Sequence, residues 1–188
     1  MNGLLEAEQT SNLNRAIFGF ARVDLLRPLR PINQGEFNQR PINKKAVDQL
    51  VQNMETVGVH SDRYSTAIPL LANPDDIDPS SLLLDITKIS QAKDLVLSEK
   101  GEADVKSFSA AGGRHRTKAL EIVVERVDKE MKGIQDRINN TKKRESSKGK
   151  AKLERLREEL KKCKAKKAGL RKWTVILYDE GKYTWLIC

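Results

Sequence analysis

The sequence is short of the residues that staple or metallate small proteins. Among its 188 residues are two cysteines, Cys163 and Cys188, and two histidines. Two cysteines cannot build a disulfide framework, and neither sits in a CxxC or Cys/His pattern, which excludes a secreted disulfide scaffold and a structural zinc module. This usage fits a reducing, intracellular setting, cytoplasm or nucleus/nucleoid. Aromatic residues make up only 5%, so the core has few large anchors. No apolar run approaches the roughly 18 residues of a membrane span, and the first twenty residues lack a signal-type apolar stretch. Neither a membrane nor secretion is expected. At roughly 100–200 residues per domain, the length suits one core plus an appendage.

What the chain has in quantity is charge, 35 basic against 26 acidic residues. Its placement is uneven. From 129 to 172 there are 18 basic and 6 acidic residues, a balance of +12, which leaves 17 basic and 20 acidic residues elsewhere. One segment therefore carries the whole positive excess.

Apolar spacing outlines the rest of the chain. Residues 1–20 read as an N-terminal helix or tail in which Leu4, Leu5, Leu13, Ile17 and Phe18 could dock. A short strand is expected at 23–26, then a loop broken by Pro31 and Pro41. Ala46, Val47, Leu50, Val51, Met54 and Val57 recur at three and four, predicting a helix from Asn43 that stops before Gly58. Strands are expected at 65–72, 105–110 and 172–178, with Gly181 turning the last toward a hairpin partner at 183–187. Asp75, Asp76 and Asp78 lack the spacing of a calcium loop and read as an acidic surface loop. Leu120, Val123, Val127, Met131, Ile134 and Ile138, then Leu153, Leu156, Leu160, Cys163 and Leu170, form two heptad-like seams around a polar, basic 139–152. Two helices folding back as an antiparallel hairpin satisfy that pattern, with Cys163 packed in the seam. The chain ends directly after a strand pattern, which fits a piece of something longer.

The stretch with most chemistry is Gly112-Gly113-Arg114-His115-Arg116, placed where a strand pattern gives way to a helical one near Thr117. Glycines there allow positive φ and close approach of a ligand, and the first N–H groups of a helix lack intrahelical partners. Arg114, His115, Arg116 and Lys118 crowd cations at the positive end of the helix dipole, which costs about 0.3–1 kcal/mol per exposed charge. A bound phosphate or carboxylate reverses that sign, since Arg offers forked donors. Pairing of these cations with Glu121 and Glu125 is the competing reading.

A strand, the run Gly113, His115, Arg116, Ala119 matching G-x-[HR]-R-x-x-A, and a helix together resemble the ParB/sulfiredoxin superfamily. The strand running into Arg27-Pro28-Leu29, the helix 46–58 and the strand Ile68-Pro69-Leu70-Leu71 resemble the family's upstream elements. The resemblance covers about two thirds of the chain. It implies an α/β (α+β) fold, a small mixed sheet with packed helices at 21–128 and 172–188, carrying an inserted antiparallel helical hairpin at 129–171. It also implies a nucleoside triphosphate, ATP or CTP, with Mg2+ as a further candidate, held at Gly112–Arg116 and the first helix. Sulfiredoxin's reactive cysteine falls at Arg114, so sulfinic-acid repair is not expected. Its Lys, Ser and Thr on the first helix fall at Ala46, Gln49 and Asn53, and Lys44 or Lys45 lies a turn away. A ParB-type helix-turn-helix is not visible.

Three functions stay open at this point. One is nucleotide binding combined with nonspecific nucleic-acid binding by the hairpin, through Lys142, Lys143, Arg144, Lys148, Lys150 and Lys152. A second is an enzyme, an ATPase, small-molecule kinase or nuclease, with His115 as candidate acid/base and Glu36, Asp24 or Glu121 as candidate magnesium ligands. The third is a noncatalytic scaffold that forms homo-oligomers through the hairpin.

Overall fold

Trp173 to Leu177 are buried without interruption, and that run is the centre of the sheet. The computed structural model describes residues 15–34, 40–104, 106–142 and 147–182. It contains five strands, β1 (Ile17–Asp24), β2 (Ile32–Asn33), β3 (Ile68–Ala72), β4 (Phe108–Ala110) and β5 (Lys172–Asp179), in the order β1-β5-β3-β4-β2. β1 is antiparallel to β5 with Ala21 opposite Val175, and β3 is parallel to β5 with Leu70 opposite Leu177. β4 is antiparallel to β3 and parallel to β2. A strand flanked on both edges and covered on both faces has no solvent side, so β5 reads as a continuous apolar run instead of an alternation.

The mixed sheet and the long helices establish an α/β fold. Several boundaries differ from expectation. Ile17 to Phe20 belong to β1, not to a helix, because they continue the pairing with β5 up to Ile17 opposite Tyr178. Leu13, Ile17 and Phe18 fit a helical spacing, but sheet pairing decided residues 17–20. The free edge of β1 is covered by irregular chain: Phe20 and Leu83 exchange backbone hydrogen bonds, and Arg22 does so with Lys93 and Leu95. The 65–72 and 105–110 strands shrink to β3 and β4, with a 3-10 turn at Tyr64–Thr66. The expected partner strand at 183–187 lies outside the described residues.

The chain divides into two compact units, residues 1–43, 60–114 and 172–188 in one, and 44–59 with 115–171 in the other. In the sheet unit, much irregular backbone is satisfied by short polar side chains. Asn73, Asp78, Asp85 and Ser98 each accept from a backbone N–H two or three residues on, opening short helical turns. α2 (Glu99–Ala103) is one of these. The acidic loop is not all surface. Asp76 is 3% exposed and takes Arg30 Nη1 at 2.9 Å. Arg30, 5% exposed, also donates to the Gly101 carbonyl and stacks over Phe108 at 5.7 Å. Asp75 meets Lys100 at 2.9 Å instead.

The helical unit contains α1 (Lys44–Thr56), α3 (Arg114–Lys142, whose first residue belongs to the sheet unit) and α4 (Ser147–Arg171). α1 buries Val47, Val51 and Met54 of the predicted stripe, while Leu50 is partly buried and Ala46 and Val57 are exposed, and the chain leaves it at Gly58 with φ +91°. Glu55 of α1 takes Arg126 of α3 at 2.8 and 2.9 Å. α3 passes Lys129 without a break. Ile134, Ile138, Leu156 and Cys163 form a buried seam with Met131, Leu153 and Leu160 packed on it. Asp128 pairs with Lys167 and Arg137 with Glu159, so the partner on α4 falls in number as α3 advances, as in antiparallel helices. Among the described residues, no helix is long and apolar enough to cross a membrane.

Candidate functional site

The turn between β4 and α3 is set by the strand beside it. Ala111 N donates to the Pro69 carbonyl at 3.1 Å, extending the β3–β4 contact by one residue beyond the ladder. A residue's N–H and C=O point to the same side of a strand, so the donor that Pro69 lacks would face this turn, where the ladder has already ended. Proline is therefore tolerated in an interior strand.

Gly113 has φ +90°, and a Cβ there would stand 3.0 Å from three Ile68 side-chain atoms. Backbone sign and lack of space both require glycine at this position. Gly112 differs from expectation. Its φ is not positive, and a Cβ would meet Pro69 at an ordinary 3.5 Å. One glycine, not two, makes the turn. The helix also starts earlier than its apolar spacing suggests, at Arg114 instead of near Thr117, because the periodicity becomes visible only at Ala119 and Leu120, both 0% exposed.

That shift puts Arg114, His115 and Arg116 inside the first turn of α3, which contains no acid. Arg114 Nη1 donates to the Arg40 carbonyl at 3.3 Å. Arg116 is half-buried, and burial lowers the pKa of its guanidinium. His115 is half-buried in the second position of the helix. Lys118 is exposed and meets Glu121 at 2.7 Å, which raises its pKa. Glu125 is engaged by Lys129 at 2.8 Å and its pKa is lowered by that hydrogen bond. The competing reading, neutralisation by Glu121 and Glu125, thus holds for Lys118. Those two acids are occupied by lysines.

Asn53 and Lys45 are exposed on α1, in the helical unit, whereas Gly112 to Arg114 belong to the sheet unit. Asn53 Oδ1 accepts from Gln49 Nε2 at 3.2 Å. Of the candidate magnesium ligands, Asp24 Oδ1 accepts the backbone N–H groups of Leu26 and Arg27 at 3.0 and 2.9 Å, holding the turn after β1. Glu121 is paired with Lys118, and Glu36 lies outside the described residues. No three His, Cys, Asp or Glu residues gather as a metal-holding group among the described residues.

The sequence reading missed Ile68 and the Arg40 carbonyl. The Ile68-Pro69 pair was visible as a strand, but that its isoleucine packs against Gly113 depends on strand order. A backbone carbonyl carries no sequence signal at all.

Of the basic residues expected to meet nucleic acid, Lys150 and Lys152 are exposed on α4, Lys148 lies in its first turn, and Lys142 ends α3. Lys143 and Arg144 lie outside the described residues. Comparison with protein-family models, curated proteins and solved structures returns no match to this chain.

Proposed function

We propose that the chain binds a nucleotide phosphate at the β4–α3 turn and nucleic acid through the cations of α4. The observation that carries the first half is the start of α3: a glycine fixed at φ +90° leads into a first turn holding two arginines and a histidine and no acid. A cation at a helix N-terminus opposes the helix dipole, and a phosphate seated there turns the same charges into attraction. Arg116 adds a half-buried guanidinium, and a charge partly withdrawn from water binds phosphate more strongly than one fully surrounded by it.

The ParB/sulfiredoxin resemblance supports the same turn, and it alone suggests a triphosphate, ATP or CTP, with or without Mg2+. Titration calorimetry with ATP, CTP and inorganic phosphate tests this half. Wild type is expected to release heat with at least one nucleotide and Arg116→Ala to bind it at least about tenfold more weakly, a loss of about 1.4 kcal/mol. Absence of heat with all three ligands would refute it.

A further inference from the structure

The outer surface of α4 is organised around its buried seam. Leu156, Cys163 and Leu170 are buried, so the opposite side faces outward. At about 100° per residue, Lys150, Arg157, Lys161 and Lys164 fall on one flank of that side, at steps of 7, 4 and 3. Arg155, Lys162 and Lys166 fall on the other flank, at steps of 7 and 4. Between the flanks runs a crest of Ala151, Glu154, Glu158, Ala165 and Gly169, mostly short side chains. All seven flank cations are exposed, and among the described residues none makes an ion pair. Of the three acids of α4, Glu159 is turned to Arg137 on α3, and Glu154 and Glu158 on the crest make no ion pair among the described residues.

A low crest between two cationic walls fits a partner with two anionic walls. Residues 115–171 contain no Phe, Tyr or Trp, so this unit offers no platform for stacking the unpaired bases of a single strand. A helix with side chains is about 10–12 Å across, and the major groove of B-form DNA is about 12 Å wide with a phosphate backbone on each side. The A-form groove of duplex RNA is too deep and narrow for this. From Lys150 to Lys164 the helix rises about 21 Å at 1.5 Å per residue, enough to follow about six base-pair steps.

We infer that α4 lies in the major groove of B-form duplex DNA, with one cationic flank on each phosphate strand. This rests on the nucleic-acid half of the proposed function and adds to it the duplex form and the inserted element. Glu154 and Glu158 then face the groove floor, away from both backbones, where a carboxylate can accept only from cytosine and adenine amino groups. Neutralising these two acids should tighten binding.

Fluorescence anisotropy with a labelled DNA duplex, the matching RNA duplex and the single strand, across a salt series, tests the inference on the whole chain. The DNA duplex is expected to bind about tenfold or more tightly than the other two, with a log–log salt slope of about −6 for seven contacting cations. Arg157→Gln/Lys161→Gln/Lys164→Gln and Arg155→Gln/Lys162→Gln/Lys166→Gln should each weaken it about tenfold or more, while Lys132→Gln on α3 should change it less than about twofold. Glutamine is a good helix former, so helicity by circular dichroism should be unchanged. Exchanging Lys and Arg within a flank should retain binding. A single strand bound as tightly as the duplex, or one flank carrying the entire loss, would overturn groove insertion and leave nucleic-acid binding standing. Absence of binding to all three at low salt would overturn both.

Discussion

In the sheet unit Arg30 is 5% exposed and meets a carboxylate at 2.9 Å, whereas seven exposed cations of α4 in the helical unit make no ion pair among the described residues. The acids account for the difference. In the sheet unit Asp76 holds Arg30, Asp24, Asp78 and Asp85 accept backbone N–H groups, and Asp94 lies between Arg22 and Lys172. Its slight acidity is committed to holding irregular chain in place. In the helical unit Glu55, Glu121, Glu125, Asp128 and Glu159 each take one cation, and a large surplus remains. A helix satisfies its own backbone, so its side-chain charges are available for something outside the fold.

The sharpest way to break this contrast is to remove an acid that the sheet unit depends on. Asp76→Ala leaves Arg30 charged and buried, beside a guanidinium Nε already without a hydrogen-bond partner among the described residues. The expected cost is about 3–5 kcal/mol, read as a fall in the urea midpoint. The double variant Arg30→Met/Asp76→Leu should recover most of it, because no charge is then left alone. A change below about 0.5 kcal/mol for Asp76→Ala would mean that the pair does not anchor this unit.

An intermediate effect is expected at the turn leading from sheet to helix. Gly113→Ala should cost about 1–2 kcal/mol from the backbone sign alone, with further loss from displacing Ile68. Gly112→Ala should cost clearly less, since its φ is not positive and a Cβ there would meet Pro69 at an ordinary contact distance. Equal costs at the two positions, measured by thermal unfolding, would contradict the assigned conformations.

Cys163 should give the smallest effect. Burial in the seam raises its thiol pKa, with Glu130 adding in the same direction. The folded state therefore favours the neutral thiol, and the stability this adds is complete below the ordinary thiol pKa and declines as pH rises through the raised one. In a Cys188→Ser background, alkylation at mildly alkaline pH should be slower in the folded protein than in urea. Equal rates would place the thiol at the surface.

How much of this was legible in the sequence depends on whether the deciding contact was local. Helix α1 and the seam of α3 and α4 could be read from spacing, because a helix repeats its apolar face within a few residues. β5 could be read because a strand buried on both faces is apolar throughout. Arg30 and Asp76 are 46 residues apart, and nothing near Asp76 distinguishes it from Asp75, which is exposed. The β1 start was misread because residues 17–20 satisfy a helical spacing by chance until β5 pairs with them. The role of Gly113 was half legible: a Gly-Gly pair marked the turn, but which glycine carries the positive φ depends on the side chain of Ile68.

The central claim is that the arginines opening α3 bind an anion, and it is tested most directly by the ligand-induced gain in melting temperature of wild type against Arg116→Gln. At a nucleotide concentration a hundredfold above Kd, wild type should gain about 2.7 kcal/mol, or about 5–10 °C. The variant should gain markedly less, whatever its stability without ligand. Equal gains in both proteins, or no gain in wild type with ATP, CTP or phosphate, would contradict the account.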